Sequence, residues 1–158
     1  MSIEVNKTSL IVIITFLFGT LACQGQDKSS IAKAYNLQDG VAVQGYDVVS
    51  YHSPNGPVKG KSEISHTQEN GVTYWFANEQ NKTLFLKAPQ KYEPQYGGYC
   101  AYAIAKKDRV KIDPKTFKIL DDKLYLFYNF KGYNTLLDWN KNETKLLSKA
   151  NENWKKMN

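Results

Sequence analysis

The sequence predicts an α+β fold: a small antiparallel β-sheet with a short helix after the central hairpin and C-terminal helices packed on it. Three observations predict it. Short apolar or alternating runs, separated by Pro-Asn-Gly, Asn-Gly and Asp-Asp turns, recur between residues 41 and 128. A capped helical segment interrupts them near residue 80, and the last third of the chain carries apolar residues at helical spacing.

Taken in order, residues 41–45 and 47–51 read as two short β segments broken at Gly45-Tyr46, with Pro54-Asn55-Gly56-Pro57 as the next turn. Residues 64–66 pair with 72–76 across Glu69-Asn70-Gly71, because Asn-Gly is a strong hairpin signal. Asn78 offers an N-cap to a helix carrying Leu84, Phe85 and Ala88, which Pro89 stops. Residues 110–113 and 117–120 are extended, and Asp121-Asp122 turns the chain into a hydrophobic strand over 124–128. Leu136, Leu137 and Trp139 form one short apolar face; Leu147, Ala150, Trp154 and Met157 form the stripe of a longer helix. The three tryptophans, Trp75, Trp139 and Trp154, are read as core.

At 158 residues the chain suits one domain with a short leader, and its apolar and aromatic content excludes a disordered chain. Two Cys and two His exclude a multi-disulfide scaffold and a four-ligand zinc finger. The net charge of +6 comes from lysines scattered singly or in pairs, without a basic run of five or a nucleic-acid-binding motif. It reads as a solvated surface, and nucleic acid is not an expected partner.

Residues 1–22 read as a secretory signal peptide. A short polar start with Lys7 precedes an apolar run from Leu10 to Ala22, too short for a bilayer core that needs about 20 residues. The exit Thr20-Leu21-Ala22-Cys23 supports two readings: a bacterial lipobox, with Cys23 lipidated and the protein attached to a membrane, or plain cleavage after Ala22. Thr20 stands where a lipobox prefers Leu. Either reading places the mature chain outside the cytoplasm, periplasmic or lipid-anchored to a bacterial membrane. Residues 23–40 are then a flexible tether and 41–158 the folded domain.

Gly45-Tyr46-Asp47 with Tyr51, residues 71–77, Phe85, Pro89 and Tyr92, and above all Tyr96-Gly97-Gly98-Tyr99-Cys100-Ala101 resemble the exported YHS domain-containing (seleno)proteins. The likeness extends over roughly residues 41–154. The wider YHS group is associated with soft-metal binding, copper in particular, through a Phe-Cys-Ser-x-x-Cys motif. Here the matching stretch is Phe76-Ala77-Asn78-Glu79-Gln80-Asn81, and Ala77 and Asn81 replace both cysteines. That motif's metal site does not carry over, since a soft metal needs thiolate, thioether or imidazole. The resemblance directs attention to Cys100 instead, because some relatives carry selenocysteine at this position.

From the residues themselves, Cys100 follows two glycines and precedes helix-forming sequence. A loop-to-helix junction would put its sulfur near free amides that favour thiolate. The competing reading is a small buried hydrophobe. Tyr96, Gly97, Gly98 and Tyr99, with Tyr102, are the loop expected to surround the thiol and any bound group. No Cys-x-x-Cys supplies a resolving partner. Three functions remain open: a soft-metal site, copper the leading ion, built from Cys100 with His66 and His52; a one-thiol redox protein acting through Cys100; or a non-catalytic ligand-binding or interaction domain. Asp47 is read as an Asp that closes a turn on local amides.

Overall fold

The computed structural model describes residues 34–158. The stretches expected as signal peptide and lipobox, with Cys23, and most of the expected tether lie outside the described residues.

Within them, strand β1 (Leu37–Gln38) turns through Asp39 and Gly40, both at positive φ, into β2 (Val41–Ala42). The Asn36 amide donates to the Gly97 carbonyl at 2.8 Å. Hydrogen-bonded structure therefore begins inside the stretch expected as tether. β2 runs parallel to β4 (Thr73–Phe76), which pairs antiparallel with β3 (Lys61–Thr67), giving a four-stranded sheet in the order β1-β2-β4-β3. The β3–β4 hairpin closes where Asn-Gly predicts it: Asn70 Oδ1 accepts the Val72 amide at 3.1 Å, and Gly71 has φ +85°.

Residues 43–51 are not the pair of strands expected. Val43, Gln44 and Gly45 are all at positive φ, and the chain makes tight helical turns at Val43–Gly45 and Ser50–His52. The physical reason is Asp47. Its carboxylate accepts the Val49 amide at 2.9 Å, which folds the local backbone back on itself instead of extending it.

Helix α1 (Glu79–Lys87) starts at Asn78, whose Oδ1 accepts the Asn81 amide at 2.8 Å, and buries Phe85. Helix α2 (Pro89–Tyr92) buries Tyr92 and is followed by a tight turn at Gln95–Gly98 and the single-turn helix α3 (Ala101–Ile104). Strands β5 (Asp113–Leu120) and β6 (Lys123–Phe127) form a second, two-stranded antiparallel sheet, and β7 (Asn129–Phe130) with β8 (Tyr133–Asn134) a third, which the sequence reading missed. Helices α4 (Thr135–Lys141) and α5 (Glu143–Met157) end the chain.

β6 explains how these parts hold together. Successive side chains of a strand point to opposite faces. Leu124 and Leu126 join one core with Val48, Phe76 and Phe85; Tyr125 and Phe127 join another with Ile104, Trp139 and Ala150. The strand is buried on both faces, which is why it reads as an unbroken apolar run. α5 seats Leu146, Ala150 and Asn153 in the second core, with Leu147, Trp154 and Met157 along its edge, so the stripe is centred one residue from that expected. The buried Asn153 amide is satisfied by the Ile104 carbonyl at the end of α3, at 2.9 Å. No described helix is long and apolar enough to cross a membrane. The architecture is α+β, with a small, mainly antiparallel sheet and C-terminal helices, as the sequence predicts.

Candidate functional site

Cys100 sits where a turn, a short helix and a strand meet. Tyr96, Gly97 and Gly98 are all at positive φ, and they swing the chain so that Cys100 bridges in parallel to Leu126 of β6. Its amide donates to the Val110 carbonyl at 3.0 Å, and it immediately precedes α3. The residue is fully buried. The expected loop-to-helix junction is present, but the sulfur does not cap the helix. It turns instead toward the β7–β8 hairpin, where Sγ lies 3.3 Å from Thr135 Oγ1 and accepts the Tyr128 amide at 3.4 Å.

This small network has a defined direction. The Thr135 hydroxyl donates to the Tyr128 carbonyl at 3.0 Å, and Thr135 Oγ1 accepts the Tyr128 amide at 3.1 Å. With the Thr135 hydrogen used on that carbonyl, the thiol hydrogen of Cys100 is the one shared with Oγ1. The Tyr128 carbonyl also accepts the Thr135 amide at 3.0 Å. Thr135 can therefore turn its hydroxyl onto sulfur without leaving that carbonyl unpaired. Sγ would then receive two donors, a hydroxyl and an amide.

A cavity of about 310 Å³ is lined by Cys100, Ala103, Val110, Tyr128 and Thr135, with Tyr102 and the half-exposed Tyr133 as further aromatic walls and Lys106 and Asp108 at its rim. Its lining is mostly apolar, and the buried Cys100 and Thr135 are at its inner end. The Tyr133 hydroxyl donates to Asp138 Oδ2 at 2.8 Å, and that carboxylate pushes its pKa up to about 12.

The other expected site residues are elsewhere. Of the tyrosines expected around the thiol, only Tyr102 lines this cavity. Tyr96 donates to Asn151 Oδ1 at 2.9 Å and packs on Tyr125 and Trp154. Tyr99 donates to the Tyr35 carbonyl at 3.2 Å and faces Arg109 and Trp154. Asn36 bonds the carbonyls of both Gly97 and Gly98. A Cβ on Gly97 would lie 1.9 Å from the Ala34 carbonyl oxygen, so only glycine lets the two segments meet. In the stretch expected to hold a cofactor, Gly97, Gly98 and Tyr99 thus bind the chain's own residues 34–36, and Tyr96 binds α5.

His66 stands opposite Tyr74 on the edge strand β3, with its ring 6.4 Å from that of Phe85. His52 packs edge-on against Tyr92 at 5.4 Å and lines a separate cleft of about 460 Å³ with Asn78, Asn81 and Lys91. Burial, and then the nearby Lys91 charge, lower its pKa from the ordinary value. Among the described residues no three His, Cys, Asp or Glu side chains come together as a metal-binding group. Cys100, His66 and His52 are not one ligand set, and the polar groups at Sγ, a hydroxyl and an amide, do not fit a resident soft metal.

Asp47 is the other fully buried polar group of note. Besides Val49, it accepts the Ala77 amide at 2.8 Å and the Asn81 side-chain amide at 2.6 Å on Oδ2. The two positions where the metal-type motif has cysteines are thus tied to a carboxylate. Thr135, Tyr128 and Tyr133 were missed by sequence reasoning. They are 28 to 35 residues beyond Cys100, and no local spacing joins them to it. Compared with known proteins, the chain matches no family model, no curated protein and no solved structure.

Proposed function

We propose that this chain is an exported, YHS-type domain that binds a small ligand in the apolar cavity beside Cys100, with the thiol as the soft polar contact at its inner end. The observation that carries this reading is the coincidence of the lone described cysteine with a mostly apolar cavity of about 310 Å³. A pocket of that size takes a body of one or two rings, held by aromatic walls and oriented by few polar groups. The Gly-Gly-Tyr-Cys resemblance, noted for the residue that relatives replace by selenocysteine, points to the same atom.

A soft-metal site, copper included, finds less support. His66 and His52 are each engaged with other rings, and the groups at Sγ are a hydroxyl and a backbone amide, neither of them a soft ligand. A one-thiol redox role is the second reading. The specific observation in its favour is the Thr135–Tyr128 pair, which can stabilise a thiolate. That thiolate would displace one sulfur of an external disulfide, forming a mixed disulfide and releasing the other sulfur as thiolate.

The test uses phenylnaphthylamine, a neutral fluorescent two-ring probe, with the alkylated cysteine identified by peptide mapping because Cys23 is also present. The probe is expected to bind and to slow iodoacetamide alkylation of Cys100 by about tenfold, an occupancy effect at saturating ligand. Ala103→Leu, which fills the cavity, is expected to abolish both effects. A probe that fails to bind, or binds without protecting Cys100, overturns the reading. Metal analysis after exposure to copper(I), in wild type beside Cys100→Ser, separates the metal alternative.

A further inference from the structure

The Cys100 cavity does not stand alone. A second concavity, of about 360 Å³, lies between α4, α5 and the end of α3, and the two share Tyr102 and Lys106 as common wall. Its lining is of opposite character. Lys106, Lys141, Lys145 and Lys149 converge there from three parts of the chain. Lys145 and Lys149 stand four residues apart on one face of α5, and Lys141, at the end of α4, lines the same cleft.

Asp138 is the one carboxylate lining this cleft, and it is already committed. Its Oδ1 accepts Lys141 Nζ at 2.6 Å and its Oδ2 the Tyr133 hydroxyl, and hydrogen bonding to Lys141 holds its carboxyl below the usual range. Lys106 lies 5.4 Å over the Tyr102 ring, at the wall between the two concavities. Asp108 is at the far rim of the apolar cavity, not in the cleft. Four ammonium groups against one paired carboxylate leave a local positive excess whose field reaches the mouth of an apolar pocket.

We infer that the ligand of the Cys100 cavity is a soluble amphiphilic anion, its apolar body among Tyr102, Tyr128 and Tyr133 and its carboxylate, phosphate or sulfonate head on Lys106, Lys145 and Lys149. The inference rests on the proposed small-ligand function of the same cavity. An apolar body alone leaves the lysines unused, and an inorganic anion alone leaves the aromatic cavity unused. A molecule carrying both satisfies the two at once. The head is held by exposed ammonium groups, so its share of the affinity falls with salt, whereas the buried body's share does not.

Anilinonaphthalene sulfonate and phenylnaphthylamine differ in one sulfonate and are the probes. With the full chain at low ionic strength, the anion is expected to bind about tenfold more tightly than the neutral probe, the scale of two or three exposed ion pairs. In Lys145→Gln/Lys149→Gln most of that preference is lost and the neutral probe binds as before; about 0.5 M salt has the same effect. Both substitutions are at exposed positions away from the cavity wall. Equal affinities, or a preference that survives the double substitution, overturn the inference. If the neutral probe still binds and protects Cys100, the cavity reading stands without it. If neither probe binds, both fall. Attachment to anionic phospholipid vesicles without binding of the soluble anion would assign the lysines to a membrane surface and also overturn it.

Discussion

Asp47 and Cys100 are both fully buried, both carry a reactive-looking atom, and both stand at a turn leading toward a helix, yet they do different work. The Asp47 carboxylate is saturated by three donors from two parts of the chain, and its role is to hold residues 43–52 against the start of α1. Cys100 has a hydroxyl and one long amide contact, and it is among the residues that line a cavity. Burial does not separate structure from function here. What separates them is whether the polar atom's bonding capacity is used up and whether there is room for something else.

The comparison breaks first at Asp47. Asp47→Ala leaves the Val49 and Ala77 amides and the Asn81 side chain without their acceptor, and a loss of about 3–4 kcal/mol in urea unfolding is expected. A loss under about 1 kcal/mol would mean that the network does not hold the fold. Next is Gly97→Ala, which forces a Cβ into the Ala34 carbonyl at positive φ. It should cost about 2–3 kcal/mol by the same measurement while leaving probe binding at Cys100 intact. Concomitant loss of binding would restore Gly97 to the site.

Thr135→Val sharpens the Cys100 side. The near-isosteric change should cost only about 1–2 kcal/mol, because the Tyr128 amide keeps the sulfur and the Tyr128 carbonyl keeps the Thr135 amide. Alkylation of Cys100 should slow several-fold, since Sγ loses its one hydroxyl partner. An unchanged rate would remove Thr135 from the redox reading.

The smallest effect is expected at His52, whose ring is neutralised by burial first and by Lys91 second. Its folded pKa is lowered, so the unfolded chain takes up the proton more readily. The contribution to stability is complete above about pH 6.5 and declines as the pH falls toward the folded ring's pKa. Urea midpoints measured between about pH 7.5 and 5.5 should fall less in His52→Gln than in wild type. An equal fall in both would assign the pH dependence to other groups.

How much was legible in the sequence follows from how far apart the interacting groups are. The β3–β4 hairpin and the α1 cap depend on Asn70-Gly71 and on Asn78, each acting over two or three residues, and both could be read directly. The strand over 124–128 was readable because burial on two faces removes alternation and leaves an apolar run. Residues 43–51 were misread for the opposite reason. Val, Tyr and alternating polarity suggest strands, whereas a carboxylate satisfied from 30 residues away holds the segment in turns.

The same division runs through the site. The amino-acid order by itself determined the α+β class, the placement of the helices, and Cys100 as the thiol to examine. Only the tertiary structure decided that Gly97, Gly98 and Tyr99 serve residues 34–36, that His52 and His66 stand apart from Cys100, that Thr135 and Tyr128 bond its sulfur, and that the lysines of α4 and α5 line the neighbouring cleft. Propensity and capping act within one turn of chain and leave a local signature. A cavity is what several distant side chains leave unfilled when they pack, and its shape is written in no single stretch of sequence.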